Sequence, residues 1–317
     1  MSLALLFSPQ GSQVVGMGRE LAERSEAARA TFEEANDTLG WSVSATCWDG
    51  PSDRLDDTRQ TQPCLLATSV AAYRALGERV DLQPTVVAGH SVGEYAALVA
   101  AGVVEFAASL RLVARRAELM AGVDTDGGMA AVLGLDRETV ETVIASVGRP
   151  TELVMANDNA PGQVIISGRL HALDAAEQPM RAAGAKRILR LPVSGAFHSP
   201  LMTEVVERLV SAFEGEEWHD ARIPMISNVT AEPLTDAGRV RSLLAEQVRS
   251  PVEWVRSVER MASDGIELAV ECGPGSALTG MVKRIAPGIR TATVGDAASL
   301  DAAVELIGAG VTAPASA

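Results

Sequence analysis

The sequence predicts an α/β fold in two parts, a parallel sheet covered by helices with a smaller α/β unit inserted into it. Three observations predict it. Strand-length apolar runs alternate with helix-period stretches in the first hundred residues, the order changes between Met129 and Leu191, and the first alternation resumes after Pro192.

In chain order, Leu3 to Phe7 reads as a strand and Met17 to Leu39 as an amphipathic helical stretch. Thr85 to Ala88 is a second strand, followed by a helix beginning near Val92. The middle segment reads as strand Met129 to Leu133, helix Arg137 to Ser146, strands Leu153 to Ala156 and Gln163 to Ser167, helix Leu170 to Ala183 and strand Ile188 to Leu191. That βαββαβ order is the ferredoxin-like one, bounded by Gly127-Gly128 before it and Pro192 after it. Further strands are expected at Ile223 to Ser227 and Leu268 to Glu271, with helices at Val205 to Phe213, Val240 to Val248 and Val252 to Ser263. The large part is therefore expected to be discontinuous, over 1–126 and 194–307, with the small unit at 127–193. The Ala- and Gly-rich end, 308–317, is expected to be a flexible tail.

With 317 residues and 47% hydrophobic content, the chain can bury a full core. Its 27 basic and 41 acidic residues give a net charge of −14, which argues against general attraction to nucleic acid or an anionic membrane. Cys47, Cys64 and Cys272 are widely spaced and form no CxxC pair, so neither a disulfide framework nor a thiolate metal site is expected. No apolar stretch reaches the roughly 18 residues of a membrane span, and no leader is recognisable, so a cytoplasmic protein is expected.

The chemistry is concentrated at Gly89-His90-Ser91-Val92-Gly93, which follows the apolar run 85–88 and opens a helical stretch. Strand, tight turn and helix are the context of a nucleophile elbow. The turn forces Ser91 into a strained backbone conformation, and its glycine neighbours let strand and helix approach. The hydroxyl then sits over a helix N-terminus, which favours the negative charge of an acyl-transfer intermediate. An ordinary Gly-rich turn is the alternative reading.

A serine hydroxyl needs a base, and histidine has the ordinary pKa best suited to that task. Of four histidines, His90 is expected to point away from its neighbour Ser91, His171 lies on a helix of the inserted unit and His219 sits in an acidic run. His198, in Gly195-Ala196-Phe197-His198-Ser199-Pro200, follows directly on the return to the large part and is the candidate base. A capping or core histidine is the alternative.

Taken together, the motifs resemble the malonyl-CoA:acyl carrier protein transacylases of fatty acid synthesis and the related acyltransferases of polyketide synthases. The likeness runs nearly end to end. It includes Gln10-Gly11-Ser12-Gln13, Gly89 to Tyr95, Arg111-Leu112-Val113 with Arg116, Gly162 to Gly168, Ala196-Phe197-His198, Ser250 to Trp254, and Glu271-Cys272-Gly273-Pro274-Gly275 followed by Leu278-Thr279-Gly280.

The resemblance implies a hydrolase-like large subdomain and a ferredoxin-like small one that walls the cleft. It implies Ser91 as nucleophile and His198 as base, the imidazole being oriented by a backbone carbonyl near Gln247, which is also a candidate substrate-binding residue. It also implies an oxyanion hole from the backbone N–H groups of Gln10 and Val92. Pro9 stands where the family usually has glycine, which leaves the Gln10 N–H available. Arg116 matches the arginine that holds the free carboxylate of malonyl, a task suited to a planar guanidinium. Ala196 and Phe197 resemble the malonyl-selective version of the acyl pocket, in which a bulky aromatic crowds a C2 methyl branch.

No bound cofactor is implied. The substrate is malonyl-CoA, and the partner is an acyl carrier protein bearing a phosphopantetheine thiol. Because the carrier is expected to be acidic, Lys186, Arg187, Arg190, Lys283 and Arg284 are candidate docking residues. A monomer is expected. Rival readings are an acyltransferase for another acyl donor, an acyl hydrolase on the same constellation, and a catalytically silent docking module.

Overall fold

The computed structural model describes residues 1–123, 126–148, 151–193 and 195–311. The first half of the large part comprises β1 (Leu3–Phe7), α1 (Arg19–Arg24), α2 (Glu26–Leu39), α3 (Val43–Asp49), α4 (Ser52–Asp56), α5 (Thr58–Arg79), β2 (Val86–Gly89), α6 (Gly93–Ala101) and α7 (Phe106–Ala121). The small unit follows as β3 (Gly127–Leu133), α8 (Arg137–Val147), β4 (Leu153–Ala160), β5 (Gln163–Arg169), α9 (Leu170–Ala182) and β6 (Arg187–Arg190). The chain then forms α10 (Thr203–Phe213), β7 (Met225–Ile226), β8 (Pro233–Leu234), α11 (Ala237–Gln247), α12 (Trp254–Ser263), β9 (Leu268–Cys272), α13 (Ala277–Ile285), β10 (Arg290–Val294) and α14 (Ala297–Val311).

The larger sheet has the order β10-β9-β1-β2-β7-β8, parallel except for β8. Every residue of β1 is buried. Its odd positions, Leu5 and Phe7, face the core formed with α5 and α6, and its even positions, Ala4 and Leu6, face a second core containing Trp254, Val258 and Leu278. A strand covered on both faces reads as an unbroken apolar run, which is why LALLF shows no alternation.

The smaller sheet has the order β4-β5-β3-β6 with antiparallel pairing throughout, and α8 and α9 close one face over Val132, Val164 and Ile166. Counted from β3, this is the ferredoxin-like arrangement. The strand β4 continues past its expected end through Asn157-Asp158-Asn159, with register shifts on either side of that segment. Bulged strands re-aim side chains. Val252 does not open α12 as expected but pairs with β4, donating to the Ala156 carbonyl over 2.8 Å and accepting from the Asp158 N–H over 3.0 Å.

Other departures have local causes. The stretch Met17 to Leu39 is two helices, because Ser25 is extended and caps α2 through its hydroxyl, 2.9 Å from the Ala28 N–H. The strand expected over 223–227 narrows to β7, which is two residues long. The long helix α5 carries no clear sequence pattern because it is buried almost all round. At the C-terminus, 308–311 continue α14, and 312–317 of the expected tail lie outside the described residues. Among the described residues, no helix is long and apolar enough to cross a membrane.

Candidate active site

Ser91 stands between β2 and α6 with φ of 53°, in the left-handed region that an L-residue adopts only at a cost. Two glycines make the turn possible. A Cβ on Gly89 would lie 2.0 Å from the Gly93 backbone, and one on Gly93 would lie 2.2 Å from the Phe7 carbonyl oxygen. The elbow is therefore stacked directly on the end of β1.

The chain from 195 onward brings His198 to this turn, with Nε2 2.8 Å from Ser91 Oγ across 107 positions of sequence. Its Nδ1 lies 2.9 Å from the Gln247 carbonyl oxygen and 3.2 Å from that of Ser250. Carbonyls only accept, so Nδ1 carries the proton and Nε2 presents a lone pair to the serine. Burial and the nearby Arg116 charge push His198 down to about 3, so the ring is held neutral.

Arg116 projects from α7 and is almost fully buried. Its Nη2 donates to Ser91 Oγ over 3.1 Å and to Gln247 Oε1 over 2.9 Å, and its Nη1 donates to Gln62 Oε1 over 2.7 Å. The partners of the guanidinium are neutral, and Nε has none among the described residues. Desolvation lowers the arginine from its ordinary value. A buried guanidinium bonded only to amides and a hydroxyl has the chemistry to take a carboxylate.

The amide N–H groups of Gln10 and Val92 have no hydrogen-bond partner among the described residues, and Gln10 lines the cleft beside Ser91. Unfilled donors flanking a nucleophile are what an oxyanion needs. The cleft, of about 220 Å³, has a polar end formed by Ser91, His198, Arg116 and Asn157, and an apolar side including Met120, Met129, Ile165, Leu191, Val193 and Phe197. Both sheets contribute to it.

Several expected placements differ. Ala196 is fully buried behind the wall and does not line the cleft; its carbonyl holds the Ser199 hydroxyl at 2.6 Å. The Gln247 side chain is likewise enclosed, bonded to Arg116 and not exposed to a ligand. His90 does line the cleft, although its Nε2 is 2.8 Å from Asn159 Oδ1 and it makes no bond to Ser91. Arg284 is committed to the Gln163 side chain at 2.7 Å and to the Pro161 carbonyl. Lys186, Arg187, Arg190 and Lys283 are exposed, with Arg190 2.5 Å from Asp174.

Four participants were not anticipated. Gln62 comes from α5, which has no readable pattern, and Asn157 and Asn159 come from the bulged end of β4. Asn228, after β7, accepts from the Ser91 N–H over 2.7 Å and donates to the Gly89 carbonyl over 2.6 Å. Glu94 is a fifth group without an expected role, although it belongs to the elbow sequence. It is buried, and desolvation raises its carboxyl to about 7.

Residues 4–299 match the family described as the acyl transferase domain. The chain is 38% identical over 308 residues to the malonyl CoA-acyl carrier protein transacylase of Bacillus subtilis, covering 96% of this chain and 97% of that protein. It is 38% identical over 305 residues to the transacylase of the same name from Escherichia coli K12, covering 96% and 99%. Among solved structures, an acyl-carrier-protein S-malonyltransferase from Burkholderia pseudomallei superposes with a TM-score of 0.93 at 40% identity, covering 96% of this chain and all of that one. A type II polyketide synthase acyl-carrier protein in complex with its malonyl-transacylase also matches, with TM-score 0.93 and 39% identity over 96% of this chain and 100% of that one.

Proposed function

Because the chain belongs to the acyl transferase domain family, we propose that Ser91 carries the acyl group as an ester, with His198 as its base and Arg116 as the clamp on the acid tail. The activity is transfer of a malonyl group from malonyl-CoA to an acyl carrier protein, in fatty acid or polyketide synthesis. One observation carries the residue roles: Ser91 Oγ lies within hydrogen-bond reach of both the His198 Nε2 lone pair, at 2.8 Å, and the Arg116 guanidinium, at 3.1 Å.

In this mechanism His198 Nε2 takes the Ser91 proton as Oγ attacks the thioester carbonyl, and the Gln10 and Val92 N–H groups receive the oxyanion. Collapse breaks the carbon–sulfur bond, and the departing coenzyme A thiolate takes the proton from His198. The carrier's phosphopantetheine thiol then gives its proton to His198, attacks the Ser91 ester, and leaves as the malonyl thioester while the proton returns to Oγ. Arg116 holds the malonyl carboxylate through both halves. Phe197, on the cleft wall, limits room beside C2 of the acyl group.

The carrier would dock on exposed basic residues, of which Lys283 is a better candidate than the committed Arg284. Charge reversal at Lys283 should slow delivery to the carrier while leaving loading from malonyl-CoA unchanged; equal slowing of both would remove it from the docking surface. Incubation with malonyl-CoA alone tests the central reading. A stable mass increase of about 86 Da, the malonyl increment of a serine ester, should appear and be absent from Ser91→Ala. Continuous release of malonate would instead identify a hydrolase.

A further inference from the structure

Resting on the assignment of Ser91 as nucleophile, we propose that Glu94 is the positioning residue of this site, one buried carboxylate that fixes the serine's peptide and the acid-tail guanidinium together. Its two oxygens have separate duties. Oε2 accepts from Gln247 Nε2 over 2.5 Å, and Oε1 accepts from the Asn228 N–H over 3.3 Å.

Those two partners hold the nucleophile from both ends. Asn228 Oδ1 takes the Ser91 N–H at 2.7 Å, and Gln247 Nε2 donates to the Ser91 carbonyl at 3.0 Å. A serine at positive φ relaxes unless its surroundings over-determine it, and here both peptide groups are tied to side chains that Glu94 organises. Through its other atoms Gln247 also bonds Arg116, and its main-chain carbonyl holds the His198 ring. Nucleophile, base and clamp thus share one anchor.

The amide pattern makes the anchor specific for a carboxylate. With glutamine at 94, one oxygen becomes an NH2 group, which must then face a donor, either the Asn228 N–H or the Gln247 amide. Flipping the Gln247 amide would satisfy position 94 but turn its NH2 toward Arg116 and leave the Ser91 carbonyl without its donor. No arrangement of the two amides satisfies every group, and an unmatched buried donor is costly. The charged or titratable neighbours acting on Glu94 are Arg116 on α7 and Tyr95 on its own helix, while α11 and the segment after β7 present neutral amides.

The test is Glu94→Gln in the full chain, read in two ways. The first is the maximal rate and half-saturating concentration of acyl-enzyme formation from malonyl-CoA. The second is the rate of serine labelling by a fluorophosphonate, which has no carboxylate for Arg116. The proposal expects both rates to fall about tenfold or more, with half-saturation changing less than the maximal rate. Labelling within about twofold of the parent overturns it, whether or not malonyl loading falls. Ser91→Ala separates the underlying assignment, since malonyl loading by that variant would defeat the nucleophile itself.

Should E94Q not fold, the parent protein is labelled across about pH 5.5 to 9. Both Glu94 oxygens accept only when it is ionised, so labelling should rise through about 7, where His198, held near 3, stays neutral. A flat profile overturns the proposal.

Discussion

The Nδ1 atom of His198 lies 2.9 Å from the main-chain carbonyl oxygen of Gln247, so a neutral peptide group orients the imidazole. A carbonyl fixes the tautomer as a carboxylate would, but it gives the imidazolium less charge stabilisation. The ring's strong preference for the neutral form follows from burial and from Arg116, and the carbonyl opposes it only weakly. His198→Ala should therefore slow malonyl loading by about 10²- to 10⁴-fold, the usual worth of a general base, with the fold retained. Stopped-flow mass analysis of the acyl-enzyme checks this, and loading at near-parent rates would require another base.

Stability should respond to acid through several buried groups, of which His198 and Glu94 act in opposite directions. His198 stays neutral in the folded chain down to about 3, while the unfolded chain takes up that proton near the ordinary 6.5, so acidification below about 6.5 costs stability. Glu94 behaves oppositely. It is protonated in the folded chain below about 7, before the unfolded chain binds a proton at its ordinary 4.5, so acidification through that window adds stability. Between about 6.5 and 4.5 the two slopes offset. In Glu94→Gln the offsetting carboxyl is gone, and unfolding free energy should fall more steeply with acid than in the parent, by up to about 1.4 kcal/mol per pH unit. Denaturant titrations of both proteins at several pH values measure the slopes, and parallel lines would refute the linkage.

Removing the guanidinium should change which acyl group is loaded. Arg116→Ala takes away a charge-assisted contact of about 1.5–3 kcal/mol, so the preference for malonyl over acetyl should drop by about ten- to a hundredfold. Competition between the two thioesters, resolved by intact mass, gives the ratio directly; an unchanged preference would free Arg116 of the role.

The elbow tolerates no side chains at its two glycines. Gly89→Ala or Gly93→Ala forces a methyl to within 2.0 or 2.2 Å of backbone atoms. Neither neighbour is a flexible side chain, so a loss of at least about 3 kcal/mol is expected, or failure to fold. Thermal and denaturant unfolding decide it, and a change under about 1 kcal/mol would mean that the turn can re-form.

Much of the site was legible because its parts are local in sequence. Ser91 sits in a glycine-framed turn whose purpose is steric, and His198 lies in a distinctive loop at the return from the inserted unit. The ferredoxin-like order was readable from strand and helix lengths alone, with each half-buried strand bounded by turn residues. What escaped was set by tertiary context. The helix α5 is buried nearly all round and so carries no amphipathic stripe, which hid Gln62. The polar run Asn157-Asp158-Asn159 reads as the end of a strand, yet bulges keep it in the sheet and present both asparagines to the cleft. The resemblance puts Ala196 in the acyl pocket with Phe197, but successive residues of an irregular loop do not share a face.

Arg116 bonds only to neutral groups, a positive charge already stripped of water that the Glu94 carboxylate reaches through the Gln247 amide. The desolvation cost of that cation is borne by the empty enzyme. An acyl chain ending in a methyl group would perpetuate the imbalance, whereas one ending in a carboxylate resolves it. In the role proposed for Arg116, selectivity would reject as much as it attracts, because the buried cation favours a diacid over a chain with an apolar end.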